Sequence, residues 1–234
     1  MKTATFDWRK ISVPLLASLS LATLSSYAQA GLSFNSPDLQ APGNREAGAS
    51  RSDDSCLIAS NNSPKALVAL IPNTNIGLTT AATPTFYVYV PPNQAEELEF
   101  LLYEEGTQRL VYQKIYESKA VSGEIVAVEL PEESPLAVEQ NYYWYFSVVC
   151  SSDQPDENLV IESNIRRIEP SAALTERLAI AEPQERPAIY AEAGIWYETL
   201  AALSAVDPDQ ALSQWRSLLQ SVGLEEFVYT VAQR

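Results

Sequence analysis

Short apolar or alternating runs, separated by turn-forming residues, occupy the middle of the chain and predict β-strands. Where apolar and polar residues alternate with period two, successive side chains point to opposite faces of a sheet. Proline, glycine and asparagine between the runs mark the turns. The predicted strands span residues 66–71, 85–90, 98–103, 109–116, 124–130, 141–150 and 159–168.

The strand predicted over residues 141–150 has the strongest pattern. Trp144 and Phe146 fall on one face, whereas Tyr143 and Tyr145 fall on the other. Because both faces are bulky, we predict a central, penultimate strand with Trp144 and Phe146 in the core. Several short strands at regular spacing are typical of an antiparallel β-sandwich of immunoglobulin or fibronectin III character. We therefore predict a sandwich of about seven strands over residues 56–169.

At Pro170 the apolar period changes to that of helices. Ser171 is a helix cap, Pro183 ends the first helix, and Asp207 followed by Pro208 starts another. Gly223 ends the last apolar stripe. These signals predict a helical unit with a short tail over residues 170–234, so the predicted fold class is α+β.

The first thirty residues have the pattern of a signal peptide. Lys2, Arg9 and Lys10 precede an uncharged, largely apolar run over 11–24, and Ala28-Gln29-Ala30 supplies small residues for cleavage. We predict cleavage after Ala30, export to the periplasm, cell surface or medium, and no stable membrane insertion afterwards. Residues 31–55 are rich in Gly, Pro, Ser and Asn and predict a flexible lead-in.

Composition limits the chemistry. The chain has no histidine, which excludes catalytic triads and metal sites that use histidine. Its net charge is −15, and signal cleavage would make it more acidic by removing three basic residues and one acidic residue. Nucleic acid and anionic membranes should repel such a protein, whereas cations or basic partners could be attracted. The simpler explanation of the negative charge is that it keeps an exported protein soluble.

Cys56 and Cys150 are the two cysteines. Structural zinc sites take about four nitrogen or sulfur ligands, so two cysteines do not make one. In an oxidising compartment they are expected to form a disulfide, closing a long loop. A free reactive thiol is the alternative.

Two groups of aromatic residues are candidate contact surfaces. Tyr143 and Tyr145 could form a platform for sugars, although bulky strand aromatics more often pack across strands. The order of residues in a tetratricopeptide repeat is matched by Tyr190, Gly194, Trp196 and Thr199. Pro208 resembles the proline that ends such a repeat, but it comes about one helical turn early. A true repeat and an ordinary helical hairpin with an aromatic core are both compatible with these residues.

Acidic clusters offer weaker candidates. Residues 153–158 come closest to a calcium loop but have no matching glycine or regular spacing, so solvated turns are the better interpretation. A pair of carboxylates for glycoside hydrolysis cannot be identified from spacing along the chain. We therefore predict no metal and no cofactor.

Several short motifs, taken together and in order, resemble one family across nearly all of the chain after residue 30. They are the signal peptide and residues 42–45 (PGNR), 48–56 (GASRSDDSC), 69–72 (ALIP), 77–80 (GLTT), 84–91 (PTFYVYVP), 143–150 (YWYFSVVC), 166–169 (RRIE) and 190–200 (YAEAGIWYETL). The set resembles the exported cyanobacterial proteins grouped as domain of unknown function 928. That resemblance implies an envelope or extracellular protein and transfers no activity, ligand or catalytic residue.

From these patterns we expect a non-catalytic binding or structural protein of the cell envelope, with a rigid sandwich and a helical groove for another envelope protein. The first alternative is a protein that binds or processes carbohydrate, such as a surface polysaccharide, through tyrosines and carboxylates. A weaker alternative is a calcium-dependent surface component.

Overall fold

Nine strands and five helices follow one another in a computed structural model that describes residues 31–47, 56–58, 64, 66–117 and 123–231. The predicted signal peptide, 1–30, and part of the lead-in, 48–55, lie outside the described residues. The strands are β1 Glu46–Ala47, β2 Leu67–Ala69, β3 Ile76–Thr79, β4 Thr85–Val90, β5 Glu97–Glu104, β6 Leu110–Glu117, β7 Glu124–Glu129, β8 Asn141–Val149 and β9 Leu159–Arg167.

Two sheets face each other. The four-stranded sheet has the order β1-β2-β4-β7, and the five-stranded sheet has the order β3-β9-β8-β5-β6. The predicted α+β class with a β-sandwich is confirmed by this arrangement. One pairing departs from the antiparallel prediction, because β3 runs parallel to β9, with Ile76 opposite Asn164.

Strand β3 lies between the predicted strands 66–71 and 85–90, in a stretch where the sequence pattern predicted no strand. A four-residue strand has too few residues to show a period, and its pairing partner lies far away in the sequence. Gly77 is required here, because a Cβ would lie 2.7 Å from a ring carbon of Tyr197.

Strand β8 lies at the centre of the five-stranded sheet and is the penultimate strand, as predicted. Trp144 is 1% exposed and Phe146 is fully buried, so the predicted core face is confirmed. From the opposite sheet, Phe86 packs between Phe100 and Trp144, with ring centroids 4.9 and 5.4 Å away. This aromatic contact between the two sheets forms the middle of the sandwich core.

The helices are α1 Ala172–Ile180, α2 Arg186–Glu192, α3 Trp196–Ser204, α4 Pro208–Ser221 and α5 Val228–Val231. The predicted cap is present at α1, where the Ser171 side chain accepts from the Leu174 amide. Asp207 likewise caps α4 by accepting from the Asp209 amide, and Pro208 occupies the first turn. No helix among the described residues is both apolar enough and long enough to cross a membrane.

The helices form a third layer against the outer face of the four-stranded sheet. Tyr89, which points away from the sandwich core, packs on Phe227, in the short 3₁₀ turn before α5, with ring centroids 4.9 Å apart. Tyr87 shares a 3.1 Å hydrogen bond with Ser204 of α3. Helix α3 also enters the end of the sandwich, where the Trp144 indole donates to the Tyr197 hydroxyl at 3.3 Å. The helices therefore pack directly on the sandwich.

Residues 31–47 differ from the flexible lead-in predicted over 31–55, because they follow a defined course, first along the helices and then along the sandwich. Leu32 and Phe34 are buried, and their amides donate to Ser217 and Ser221 of α4. The Arg45 guanidinium donates to the Ile71 carbonyl oxygen, in the loop after β2, and to the Val222 carbonyl oxygen at the end of α4. Two apolar residues in a polar stretch give no periodic signal, which is why the sequence prediction missed this packing.

Cys56 and Cys150 are joined by a disulfide bond, as predicted, with Cα atoms 5.3 Å apart. Cys150 directly follows β8, and Leu57 forms an isolated bridge with Asn93. The bond thus ties residues 56–58 to the end of the central strand.

Candidate functional site

A cleft of about 290 Å³ lies between the four-stranded sheet and helices α3 and α4. We call it the sheet–helix cleft. Its walls are mainly apolar, with a few hydroxyls and one carboxylate. Its lining residues are Leu70, Thr85, Tyr87, Ile125, Ala127, Glu129, Leu203, Ser204, Val206, Pro208, Ala211 and Trp215.

The alternation of β4 and β7 builds the sheet wall. In the antiparallel register Thr85 lies opposite Glu129, and Tyr87 lies opposite Ala127. Directly opposite residues project to the same face, so these side chains all point away from the sandwich core. The small Ala127 side chain leaves room beside the Tyr87 ring, and this difference in size contributes to the hollow.

Helices α3 and α4 supply the other wall. Leu203 lies in the last turn of α3, while Ala211 and Trp215 are four residues apart on α4. Residues with this spacing occupy one helix face. Trp215 is 6% exposed, so its ring belongs to the wall and not to the outer surface.

The polar groups of the cleft lie on both walls. The Tyr87 and Ser204 hydroxyls join the sheet to α3 through their hydrogen bond. Glu129 is exposed at the end of β7 and is the charged member of the described lining residues. The cleft therefore offers apolar surface, two aromatic side chains and one negative charge. Ligand-binding pockets typically combine mainly apolar and aromatic walls with a few polar groups in this way.

A carboxylate holds α3 in place beside the cleft. Oε1 of Glu198 accepts hydrogen bonds from the backbone amides of Thr80 and Ala81, both at 2.7 Å. It also accepts from the hydroxyls of Thr79 and Thr80, both at 2.9 Å. We call this set the Glu198 clamp. It fixes α3 to the turn after β3, and charge-assisted bonds of this kind are among the stronger ones in proteins.

The second oxygen of Glu198 is buried and has no hydrogen-bond partner within the described part of the chain. A cavity of about 90 Å³ lies beside Glu198 and is also lined by Pro84 and Ala201. The position of Glu198 in the first turn of α3 suits a carboxylate, because the positive end of the helix dipole stabilises it.

The predicted contact residues Tyr143 and Tyr145 lie on the outer face of the five-stranded sheet with Tyr103. We call these three the tyrosine cluster. The Tyr103 and Tyr143 rings stack at 11° with centroids 5.3 Å apart, whereas Tyr145 stands at 80° to Tyr143. Burial, followed by the charge of Glu162, raises the pKa of Tyr145 above its ordinary value. The Tyr145 phenol therefore remains a neutral donor near neutral pH.

Tyr190 and Trp196, also predicted as contact residues, do not join this cluster. Trp196 is fully buried, and its indole donates to the Leu70 carbonyl at 2.8 Å, so its assignment to a contact surface is wrong. Its core role follows from the close packing of α3 on the sheet. Tyr190 is half-buried on α2, and burial raises its pKa.

Sequence reasoning missed the sheet–helix cleft but contained one clue to it. Strand β4 has aromatic residues on both faces, Phe86 inward and Tyr87 outward. A strand that is apolar on both faces needs cover on both sides. The pattern could thus have indicated a third layer, although not which helix would supply it.

The acidic loop proposed for calcium forms a short 3₁₀ turn at Pro155–Glu157. Among the described residues, no group of three or more Asp, Glu, Cys or His side chains is placed to hold a metal ion. The loop's polar contacts are local, as where the Asn158 side chain accepts from the Cys150 amide.

Comparison with known proteins identifies a family but no function. A family model described as "Domain of Unknown Function (DUF928)" matches residues 46–231. No curated protein sequence matches the chain. A solved structure that it resembles is the fn3 domain of human collagen alpha-1(XX) chain, with 12% sequence identity and a TM-score of 0.29. That match covers 53% of this chain and 94% of the collagen domain.

Proposed function

We propose that this chain, which belongs to the family DUF928, is a non-catalytic envelope protein that binds a partner protein through the sheet–helix cleft. The cleft receives one side chain of the partner. Its volume of about 290 Å³ carries this proposal. Small-molecule pockets begin at roughly 300 Å³, so the cleft suits a fragment or a single side chain better than a large ligand.

The structure around the cleft supports a preformed site. The Glu198 clamp fixes α3, and the Tyr87–Ser204 hydrogen bond joins α3 to the sheet wall. Walls that are already fixed lose little entropy when a ligand enters, and that saving favours binding.

The test uses N-acetyl-norleucine amide as a probe, because it presents an unbranched apolar side chain on a peptide backbone. In NMR titrations of the exported chain, we expect shifts at residues that line the cleft, with an affinity in the millimolar range typical of fragments. Ala127→Leu fills the cleft from the sheet wall and should reduce the affinity at least about tenfold, because the ligand and the new side chain compete for one volume.

Ala179→Leu is the matched control, since it makes the same change at an exposed position on α1. It should leave the affinity unchanged. Absence of probe shifts at the cleft in the unaltered chain would reject the binding role.

Export is part of the proposal, as is an origin in the cyanobacterial envelope suggested by the family resemblance. It is supported by the pattern of residues 1–30 and by the Cys56–Cys150 disulfide, a bond typical of oxidising compartments. The expected mature N-terminus is Gly31. N-terminal sequencing of protein recovered from the envelope tests this, and an uncleaved chain would contradict it.

We further propose that α2 and α3 derive from a tetratricopeptide-type hairpin. Gly194 makes the turn with φ +73°, and a Cβ there would lie 2.9 Å from the Asn35 carbonyl oxygen. Trp196 and Thr199 are buried after it, in the order that the repeat uses. Replacing Gly194 with alanine should therefore destabilise the hairpin, which circular dichroism during urea unfolding would measure.

Carbohydrate binding at the tyrosine cluster is a second candidate function. Stacking hides one face each of Tyr103 and Tyr143, but the perpendicular ring of Tyr145 lies beside the carboxylate of Glu162. A ring with a neighbouring acceptor suits a neutral sugar, whereas an acidic polysaccharide would be repelled by the net charge of −15. A glycan array tests this: Tyr145→Ala should lose a signal that Ala127→Leu retains. An array without signal for the unaltered chain rejects it.

A further inference from the structure

We infer that the side chain received by the sheet–helix cleft is basic, a lysine or an arginine of the partner protein. This inference rests on the proposed binding role of the cleft. It adds the chemical nature of the side chain that binds. Three kinds of lining group indicate it: the apolar walls, the aromatic rings and the carboxylate of Glu129.

The apolar walls suit the stem of a basic side chain. Lysine and arginine carry three or four methylene groups that pack on apolar surface while the charged end stays near water. Ala127 on the sheet wall, and Val206 and Pro208 on the side of the helices, supply accessible apolar surface of this kind. A short acidic side chain would leave this surface without contacts.

The aromatic residues favour a cation over a neutral group. Trp215 and Tyr87 line the same cleft from opposite walls. The face of an indole or phenol ring carries negative charge density and attracts ammonium and guanidinium groups, with tryptophan the strongest of the natural side chains.

Glu129 supplies the full negative charge. Its carboxylate lies at the end of β7, exposed and on the cleft face of the strand. Among the described residues it forms no salt bridge, and no lysine or arginine belongs to the cleft lining. A positive charge that pairs with Glu129 in the cleft would therefore come from the partner, and the acidic chain as a whole would attract it.

The experiment compares three probes that differ in the charge at the end of the side chain: the N-acetyl amides of lysine, norleucine and glutamate. Each is titrated into the exported chain, and the affinity is read from NMR shifts of residues that line the cleft. At low salt we expect the lysine probe to bind about three- to fivefold more tightly than the norleucine probe, as for an exposed ion pair. The glutamate probe should bind most weakly.

Glu129→Gln should reduce the preference for lysine over norleucine to near unity, because it removes the charge that pairs with lysine. Glu124→Gln is the matched control, because it removes the same charge from the same strand at a residue outside the cleft lining. That variant should keep the preference. Raising the salt concentration should weaken the lysine preference in the unaltered chain, since salt screens exposed charges.

The outcomes separate the two proposals. Equal affinities for lysine and norleucine, or a preference that survives Glu129→Gln, overturn the inference and leave the binding role intact. If none of the three probes shifts cleft residues, the binding role fails and the inference fails with it.

Discussion

The two sheets of the sandwich have outward-facing tyrosines in different surroundings. On the four-stranded sheet, Tyr87 and Tyr89 lie beneath helices and are almost fully buried. On the five-stranded sheet, Tyr143 and Tyr145 are half-buried in a face where Ile115 is 55% exposed. The same residue type on the same kind of strand therefore serves a buried interface on one side and a solvated surface on the other.

This difference shows how the fold produces a concave site. Helices resting on a sheet leave hollows where the side chains between them are small, and the sheet–helix cleft, lined by Ala127 on the sheet and Ala211 on α4, is one such hollow. On the open face the three tyrosines contact one another, and Tyr103 and Tyr143 each cover one face of the other's ring. Covered aromatic surface is thus the better place for a specific pocket in this molecule.

The largest effect should come from Trp215→Ala on the covered side. Removing a buried indole creates a cavity and is expected to lower the free energy of unfolding by about 3–5 kcal/mol. Urea unfolding followed by circular dichroism measures it. Trp215→Phe is the control and should cost clearly less. A loss for the alanine variant below about 1 kcal/mol would mean that the helical layer hardly contributes to stability.

Breaking the Glu198 clamp should have the next largest effect. Glu198→Ala leaves the Thr80 and Ala81 amides without their acceptor, and we expect a loss of about 2–4 kcal/mol in the free energy of unfolding. The matched control is Glu192→Ala on α2, which breaks an exposed ion pair with Arg177. Pairs of that kind contribute about 0–1 kcal/mol. Equal losses in both variants would contradict the clamp.

On the open face, Tyr143→Ala should lower the free energy of unfolding by only about 1 kcal/mol. It removes ring contacts with Tyr103 and Tyr145 at a half-buried site. Thermal unfolding compares this variant with Tyr143→Phe, which keeps the ring and should match the unaltered chain. A loss as large as that of Trp215→Ala would remove the distinction between the two faces.

At pH 8 the smallest effect concerns Tyr116, on edge strand β6. Burial, followed by the charges of nearby Tyr112 and Glu129, raises the pKa of Tyr116 from 10.0 to about 12. Because the folded pKa exceeds the unfolded one, its contribution to stability is complete below pH 10 and is lost as the pH rises through 12. Between these values the chain should become less stable.

Tyr116→Phe tests this dependence. The Tyr116 hydroxyl is buried with no hydrogen-bond partner among the described residues, so its removal at pH 8 should be neutral or slightly stabilising. Between pH 10 and 12 the variant should lose less stability than the unaltered chain in urea unfolding. Parallel losses in both proteins would exclude Tyr116 as a source of the alkaline sensitivity.

Much of the fold could be predicted from local patterns. The alternation in β8 correctly placed Trp144 and Phe146 in the core, and the caps at Ser171 and Asp207 correctly marked helix starts. Strand β3 could not be found this way, because its pairing with β9 joins distant parts of the chain. Local periodicity reports which face of an element is apolar, but not which other element will cover it.

The same limit explains why the cleft was missed. Tyr87 and Trp215 come from elements that are far apart in sequence, and each is only an apolar residue on an apolar face until α4 packs near β4. Similarly, nothing near Glu198 in the sequence indicates that it accepts hydrogen bonds from the turn after β3. Sites formed by the docking of one layer on another leave little trace in local pattern.

The packing of residues 31–47 on α4 has a consequence for the order of folding. The Leu32 amide and its acceptor, the Ser217 hydroxyl, are 185 residues apart in the sequence. Leu32 therefore cannot form this hydrogen bond until α4 has been synthesised. During synthesis, Leu32 and Phe34 emerge long before their partners exist and remain solvated until the helical layer is complete. Contacts between such distant residues slow folding. A chain shortened before α4 would therefore leave the Leu32 and Phe34 amides without their hydrogen-bond acceptors.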